Sequence, residues 1–422
     1  MSHFLRDMFS SADAVRQRQL EELNSRSRLP CLGTQTDKFF SSYRRALRST
    51  VVSGGSAPFR AAVIHGILRQ YAAQGVPTVV LHCGSPWLSC GTAAGAVLPG
   101  GRRFRCDPLL GSSPGGAAEL LTDLSGSLSP GGPPLGGLWD LLLEVLALKD
   151  GPVTLSALCA GACRDLPEEL ARLSREGALD SGRACTLLDR FNALPPGALD
   201  AGDQLLCKLR RWPGTCPEEP DREALGLAQA VELGGLASID LVSDSSLAPK
   251  ELCFLVLRRL MEHGRQFLVV CDGLSLSSQT VQMEQFFQGA SPGVRFLFAG
   301  PDVPVQLQAR PGLMDHLMKT WDGGANAVIF FHTSPAGKEF WLQYLGTYRH
   351  RCLEQSYSYT RDSAAVLRHS EGRSGVLKEE ERHVMEEEEL RTLPENQAVV
   401  AVPAERKRGI LTFQGLRSTG IS

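Results

Sequence analysis

The chain has 422 residues, 43% hydrophobic and 21% charged, so it can bury a large core and has the composition of a globular protein. Its formal net charge of −2 excludes a strongly basic protein drawn to nucleic acid by its overall field. The longest apolar stretch, residues 135–148, contains Asp140 and Glu144 and is too short to cross a bilayer, and residues 1–24 lack the apolar core of a secretory signal. We therefore expect a cytoplasmic protein without a membrane span of its own.

Cysteine usage indicates buried thiols rather than a disulfide framework. The twelve cysteines are scattered singly along the chain, as in proteins that fold inside the cell. Two groupings have spacings that zinc sites use, namely Cys159 with Cys163 and His82-Cys83 with Cys90. Because no second pair at ligand spacing accompanies either of them, we expect small buried side chains at these positions and no metal site.

The first predicted elements of the core are a strand, a glycine turn, a helix and a second strand. Residues 1–48 are expected to form a helical segment in front of them. An apolar run at 50–52 leads into Gly54 and Gly55, a helical pattern follows, and residues 77–81 resemble the next strand. This order is the setting of a phosphate-binding loop. A plain strand-to-helix turn in any α/β protein has the same order.

Farther along the chain, apolar strands alternate with amphipathic helices. Residues 99–137 are rich in Gly, Pro and Ser and are predicted to be connecting loops with one helical interruption. Helical spacing then dominates up to about residue 209, which predicts an all-helical insertion. Strands are predicted at 238–242, 266–272, 294–300 and 327–331, followed by helices at 250–263, 279–288, 314–321 and 337–345. The alternation predicts an α/β fold with a mostly parallel sheet covered by helices on both faces.

The last part of the chain changes character. It is polar, carries an acidic run at 379–389 that is typical of a solvated helix, and ends in two short apolar pieces. We therefore divide the chain into an N-terminal helical segment (1–48), the first part of the α/β domain with its Gly/Pro-rich loops (49–137), the all-helical insertion (138–233), the second part of the α/β domain (234–346) and a polar C-terminal tail (347–422).

The glycine turn matches a phosphate-binding loop only in part. A working loop has the form G-x-x-x-x-G-K-S/T, in which backbone amides and a lysine hold phosphate and the hydroxyl holds Mg²⁺. With Gly54 as the first glycine, Gly55 and Ser56 are compatible with the loop, whereas Arg60 replaces the lysine and Ala61 replaces the hydroxyl. In addition, residue 59 is a phenylalanine where the second glycine should be. The candidate nucleotide-binding residues therefore form a degenerate loop.

The acidic strand of the same chemistry is also incomplete. In a P-loop ATPase a second strand ends in an aspartate that supports Mg²⁺, often beside a glutamate that activates water. Asp272 stands in the first position and Gly273 in the second, so Asp272 is a remnant catalytic acid. Losing one preorganised electrostatic group costs about 10²–10³ in rate, and several are missing together here. We therefore assign no confident catalytic residue and no confident cofactor, with ATP and Mg²⁺ as the only candidates.

Short fragments in a fixed order carry a family resemblance. They lie at 32–33, 54–61, 81–84, 105–109, 237–241, 267–272, 294–307, 340–346 and 384–394, where residues 389–394 are E-L-R-T-L-P. Across residues 30–403 their order resembles the coupling-protein ATPases of bacterial conjugation and type IV secretion, the TraG/TraD-like branch of the FtsK-type P-loop motors. The resemblance implies a RecA-like P-loop fold whose helical insertion recognises the transferred cargo.

The resemblance also has departures. Family members usually carry paired transmembrane helices before the motor, and none is found in this sequence. The lysine, hydroxyl and catalytic acid of the family map onto Arg60, Ala61 and Gly273, and its sensing glutamine is missing near residues 300–302. The family setting implies protein partners of a DNA-transfer apparatus, DNA itself, and homo- or hetero-hexamers. Those partners would also bring the chain to the membrane.

Three functions remain open from the sequence. The first is a degenerate, coupling-protein-like pseudo-ATPase that acts by binding partner proteins or DNA. The second is a divergent but active DNA-translocating ATPase in which Arg60 does the work of the lysine through a charge-assisted bond. The third is an unrelated α/β binding protein whose glycine turn is accidental. Arginine is a poor replacement for the lysine because its planar fork is bulky, which favours the first.

Overall fold

The fold is built on one large mixed sheet. The computed structural model describes residues 12–33, 48–83, 94–149, 151–212, 223–241, 247–273, 281–289, 293–307, 325–331, 334–360, 370–403 and 407–413. The strands are β1 (Cys31–Gly33), β2 (Thr50–Ser53), β3 (Thr78–His82), β4 (Ala94–Val97), β5 (Arg103–Asp107), β6 (Ala224–Gly226), β7 (Leu236–Asp240), β8 (Phe267–Asp272), β9 (Val294–Gly300), β10 (Asn326–Ile329), β11 (Thr347–Thr360), β12 (Ser370–His383), β13 (Gln397–Val402) and β14 (Lys407–Thr412).

The helices lie on both faces of this sheet and in the inserted segment. They are α1 (Ala12–Ser27), α2 (Ala57–Ala72), α3 (Pro114–Leu128), α4 (Gly136–Ala147), α5 (Leu155–Ala160), α6 (Leu166–Arg175), α7 (Ser181–Asn192), α8 (Ala198–Leu209), α9 (Leu227–Glu232), α10 (Leu247–Glu262), α11 (Val281–Gln288), α12 (Val303–Gln306), α13 (Pro335–Leu345) and α14 (Glu387–Arg391). Among the residues just described, no helix combines the length and the apolar character needed to cross a bilayer.

The centre of the sheet is parallel. Its twelve strands run in the order β1-β14-β13-β10-β2-β9-β8-β3-β7-β4-β5-β6, and every neighbouring pair from β10 to β7 is parallel. One strand, β9, therefore separates the strand that leads into the glycine turn from the strand that ends in Asp272. The α/β fold with a mostly parallel sheet is confirmed.

Alternate side chains of the central strands enter two separate cores. Val51 and Val79 belong to the core beneath the larger set of helices, whereas Val52 and Val80 pack with α2 on the other face. Because successive side chains of a strand point to opposite faces and both faces are buried, the central strands are apolar along their whole length. Because both faces are covered, the edge formed by the carboxyl ends of the strands is where polar side chains concentrate.

The helical segment leaves and rejoins the sheet at one place. Helices α3 to α8 lie between β5 and β6, and these two strands pair in parallel, with Arg105 opposite Ala224. At the end of β5 the buried Asp107 carboxylate accepts hydrogen bonds from the amides of Leu109 (2.9 Å) and Leu155 (3.0 Å), the second of which begins α5. Burial raises the pKa of Asp107 in spite of these bonds. One carboxylate thus fastens the insertion to the sheet.

Three predictions of secondary structure need correction. In residues 99–137 the predicted helical interruption is confirmed as part of α3, but the prediction of connecting loops around it is wrong at β5, which pairs with β4 and β6. The buried leucines of α3 drive its packing despite a Gly- and Pro-rich composition. The acidic run at 379–389 is not one helix, since β12 extends to His383 and only α14 is helical. The segment from residue 347 also supplies β13 and β14 to the main sheet.

Two predicted helices fall outside or partly outside the described residues. The helix predicted at 314–321 lies outside them. In the N-terminal segment, α1 is described from residue 12 onward and packs against β11. The strands β11 and β12 form a separate two-stranded antiparallel ribbon.

Candidate functional site

The candidate site lies at the edge formed by the carboxyl ends of the parallel strands. There β2 ends next to Gly300 of β9, and Asp272 of β8 lies in register with His82 of β3. In open α/β sheets, ligands bind in the crevice outside this edge. The structure therefore brings the predicted glycine turn and the predicted acid, which are far apart in sequence, to the same edge.

The turn after β2 requires glycine at two consecutive positions. Gly54 and Gly55 have φ angles of +85° and +64°, a region that side chains with a Cβ rarely adopt. A Cβ on Gly55 would also lie 2.7 Å from the Cβ of Phe330, the residue that follows β10. The turn is thus shaped by backbone conformation and by close approach of a neighbouring strand.

The polar backbone groups of the turn are already engaged. The Gly54 amide donates to the Gly300 carbonyl (3.1 Å), and the Gly55 amide donates to the Phe331 carbonyl (3.0 Å). Arg60 folds back from the first turn of α2, and its Nη1 donates to the carbonyls of Gly54 (3.0 Å) and Gly55 (2.5 Å). A phosphate cradle needs these amides to point at the ligand. In the observed conformation neither of the two glycine amides is available.

The beginning of α2 offers few replacements for those amides. Ser56 is the N-cap residue, but its side chain makes no capping bond, and its buried Oγ has no hydrogen-bond partner. Pro58 lies in the first turn and has no N–H. Ala61, which stands in place of the Mg²⁺-binding hydroxyl, is buried in the helix. The start of the helix therefore lacks both the metal-binding side chain and one of the amides of a working loop.

Arg60 and Asp272 interact electrostatically across the site. Burial lowers the pKa of Arg60, while the charge of Asp272 raises it. Asp272 is buried at the end of β8. The next residue, Gly273, has a φ angle of +64°, so a glutamate in its place would be strained. The backbone itself therefore disfavours the missing second acid.

The region after β9 holds one residue that the sequence analysis missed. The carboxamide of Gln306, in α12, lies against Gly300, where a Cβ would collide with it. Asp302 instead serves as a cap, because its carboxylate accepts from the Val305 amide (3.3 Å) and from the Ser334 hydroxyl. By its resemblance to the family, the sequence predicts that the sensing glutamine is missing near residues 300–302. A glutamine does reach this edge, from one helical turn farther along the chain.

A row of polar side chains continues the edge toward β7. His82 Nε2 lies 3.1 Å from Ser238 Oγ, and His82 Nδ1 lies 3.8 Å from Asp240 Oδ1 and makes no hydrogen bond. Burial lowers the pKa of His82, and the charges of Asp240 and Asp272 oppose that shift. The connectivity is that of a Ser-His-Asp relay. However, Ser238 is only 2% exposed, so no substrate can reach it, and the row is structural.

The two cysteines of the C-x-x-x-C pair are buried, whereas Cys31, Cys185 and Cys207 are exposed. Burial raises the pKa of Cys159 to about 12 and also raises that of Cys163, which makes both poor thiolate ligands. Cys90 lies outside the described residues. Within the described part of the chain, no group of three or more His, Cys, Asp or Glu side chains is placed to hold a metal ion.

Comparisons with known proteins find likeness only at the level of structure. Neither a protein-family model nor a curated protein sequence matches the chain. Among solved structures, the chain is similar to the plasmid coupling protein TrwB with a non-hydrolysable GTP analogue (13% identity, 88% of this chain and 86% of that one, TM-score 0.47). It is also similar to the unbound bacterial conjugative coupling protein TrwBΔN70 (15%, 87% and 84%, 0.44) and to VirB4 of Thermoanaerobacter pseudethanolicus (12%, 87% and 89%, 0.36).

Proposed function

We propose that this chain is a degenerate, coupling-protein-like component of a conjugative or type IV secretion DNA-transfer system, which acts by binding partners rather than by turning over ATP. The setting rests on the ordered sequence fragments described above. The loss of turnover rests on one observation, the Arg60 guanidinium bonded to the carbonyls of Gly54 and Gly55. In this role Arg60 holds the turn closed instead of holding a phosphate.

Other positions of the site support the same proposal. Asp302 caps α12 and contacts the hydroxyl at the start of α13, so it makes structural contacts. Gly273 adopts a positive φ angle, at which glycine is unstrained and a glutamate would be strained. Ala61 is packed in the α2 core face. Positions that serve one reaction in a working motor thus each have a structural use here.

The inserted helices are the proposed binding element. They carry more carboxylates than cationic side chains between residues 114 and 212, which favours a protein partner over the phosphate backbone of DNA. Several of the cations are paired within the insertion, for example Arg183 and Arg190 with Glu144. We therefore favour protein components of the transfer apparatus as the main partners and place DNA second.

A nucleotide titration tests the loss of turnover. The full chain is titrated with a fluorescent ATP analogue and Mg²⁺, and phosphate release is measured in parallel. We expect no saturable binding in the micromolar range and no turnover, because the glycine amides are engaged. Arg60→Ala serves as the matched variant. Micromolar binding with turnover by the wild-type chain, lost in Arg60→Ala, would contradict the proposal.

One observation favours the second candidate, a divergent active ATPase. Arg60 is electrostatically coupled to Asp272 as a lysine in a working loop would be to the Mg²⁺-supporting acid. For Arg60 to reach a phosphate, it must first release the carbonyls of Gly54 and Gly55. The titration separates the two candidates, since only an active enzyme binds nucleotide in the wild-type form and loses turnover in Asp272→Asn.

A second measurement tests the choice of partner class. Fluorescein-labelled duplex DNA is titrated with the full chain over a range of salt concentrations. We expect no binding tighter than the non-specific range of roughly 10⁻⁶ to 10⁻⁴ M. Tighter binding with a steep salt dependence would move DNA from the second to the first place among the partners.

A further inference from the structure

The ribbon formed by β11 and β12 has two edges that differ in how they are covered. On the β11 side, Asn24 of α1 forms a pair of hydrogen bonds with one residue of the strand. Its Nδ2 donates to the Arg351 carbonyl (2.8 Å), and its Oδ1 accepts from the Arg351 amide (3.0 Å). The asparagine amide thus takes the place of a neighbouring strand.

This contact fixes which backbone groups point away from the ribbon. In an antiparallel pair, residues alternate between positions whose amide and carbonyl face the partner and positions whose groups face outward. Since the groups of Arg351 face α1, those of its partner Glu379 face outward on the β12 side. The Val384 amide bonded to the Gly346 carbonyl agrees with this alternation. By the same rule, Leu377 and Glu381 also turn their backbone groups outward.

The outward groups of β12 have no strand or side chain on them among the described residues. The pairings of β12 involve β11 alone. Leu377 is 52% exposed and its neighbour Val376 is 62% exposed, which leaves two large apolar side chains at this edge in solvent. An open edge of this kind is a template for pairing with another extended chain.

The side chains at this edge form a defined pattern. On one face of the ribbon Leu377, Glu379 and Glu381 follow each other at every second position. On β11 they are opposed by Leu353, Arg351 and Arg349, and Arg351 Nε lies 2.8 Å from Glu379 Oε1. The strand that already pairs with β12, β11, therefore has the pattern cationic-x-cationic-x-apolar at residues 349–353.

A second copy of the chain fits this edge poorly. If two β12 edges met antiparallel in the register that sets residue 379 opposite itself, the Glu379 side chains of the two copies would oppose each other, which destabilises strand pairing. If β12 met β11 of a second copy, α1 would first have to leave the edge that Asn24 covers. A strand of another protein with cationic side chains meets neither obstacle.

We infer that the outer edge of β12 binds an extended segment of a partner protein by strand addition. The segment lies antiparallel to β12, with an apolar residue opposite Leu377 and cationic residues opposite Glu379 and Glu381. Backbone hydrogen bonds supply the affinity, and the alternating side chains supply the selection. The inference goes beyond the proposed function and holds whether or not the chain binds nucleotide.

A peptide titration tests the inference on the full chain. The probe is a fluorescein-labelled synthetic copy of residues 347–354 with Cys352→Ser, because β11 is the strand that β12 already accepts. We expect saturable binding by anisotropy, weakened at least tenfold by Leu377→Pro and only a few-fold by Leu377→Thr, which keeps the backbone amide and loses only the apolar contact. Proline at 377 removes an outward amide and leaves the ladder to β11 intact. Absence of saturable binding, or equal binding by Leu377→Pro, would overturn the inference.

Changes in the probe keep the test independent of how the variants fold. A peptide with Arg349→Glu and Arg351→Glu should bind at least tenfold more weakly, and equal binding would overturn the charge pattern. Two further peptides carry methyl groups on the odd-numbered or on the even-numbered backbone nitrogens. One of them should bind and the other should not, because only one set of amides faces β12. Sedimentation of the chain alone covers the remaining occupant: a dimer that Leu377→Pro dissociates would assign this edge to a second copy instead.

Discussion

Two strand-to-helix turns in this molecule handle their polar groups in opposite ways. After β5, the Asp107 carboxylate receives backbone amides, including that of Leu155 at the start of α5, so an acid of the chain stands where an anion would bind. After β2, the amides of Gly54 and Gly55 go to neighbouring strands and a cation, Arg60, occupies the turn. The first turn is complete without a ligand. The second has the shape of a ligand site, with its donors turned to structural use.

Among the substitutions considered, the loss of the Asp107 carboxylate should lower the free energy of unfolding most. In Asp107→Ala, the buried amides of Leu109 and Leu155 and the partly buried amide of Leu110 lose their acceptor. We expect a loss of about 4 kcal/mol in the free energy of unfolding, since each buried unsatisfied amide costs about 1–3 kcal/mol. Urea denaturation followed by tryptophan fluorescence measures it. The exposed Asp140→Ala is the matched control, and an equal loss in both variants would contradict the role of Asp107.

A methyl group should test how tightly the second turn is built. Gly55→Ala introduces strain at positive φ together with a collision with Phe330. Gly75→Ala, at a similar φ of +68° but with nothing within 4 Å, introduces the strain alone. We expect losses of about 3 kcal/mol and about 1 kcal/mol respectively. Equal melting temperatures for the two variants would show that Phe330 yields without cost.

Truncating the cation should separate its structural role from its charge. Arg60→Ala removes both carbonyl contacts and leaves Asp272 without its nearby positive charge, so we expect a loss of about 2 kcal/mol. Arg69→Ala, on the same helix and exposed, should leave stability unchanged. If the charge matters, Arg60→Ala combined with Asp272→Asn will recover part of the loss. With Asp272→Asn measured alone as the fourth corner of a double-mutant cycle, a coupling energy of zero would exclude the electrostatic interaction.

The smallest effect should come from acidification. Because the folded-state pKa of His82 lies below its ordinary value of 6.5, the neutral form favours the folded chain. This stabilisation is fully present above pH 6.5 and is lost as the pH falls through the folded pKa. His82→Gln should flatten the dependence of the unfolding free energy on pH in this window. An unchanged dependence would assign it to other groups.

Sequence reasoning reached the central features of this fold because they depend on local pattern. The apolar strand that ends in Asp272 and the glycines at 54 and 55 could be identified from composition and spacing alone. The structure shows that β2 and β8 are parallel strands of one sheet, so their ends lie at the same edge. The α/β fold was therefore predictable, and the candidate residues were found together.

What the sequence could not supply is which atoms meet. Arg60 was weighed as a phosphate ligand, and only coordinates show its Nη1 on two carbonyls. The reach of Gln306 back to Gly300 depends on the direction of a short helix. The strands at 397–402 and 407–412 lie in the segment that the sequence predicts to be a polar tail. Their burial comes from pairing with β10 and with each other, which the local composition does not show.

The pairing of β5 with β6 has a mechanical consequence. The inserted helices are tied to the rest of the chain by two adjacent strands at the outermost edge of the sheet, far from β2. A force applied to the insertion would be carried by this short pair, by the bonds to Asp107, and by the ion pairs of Arg259 in α10 with Glu119 and Asp123 in α3. Because α3 and α8 also pack on α10, such a force would reach the central strands through the helical layer as well as through the edge pair.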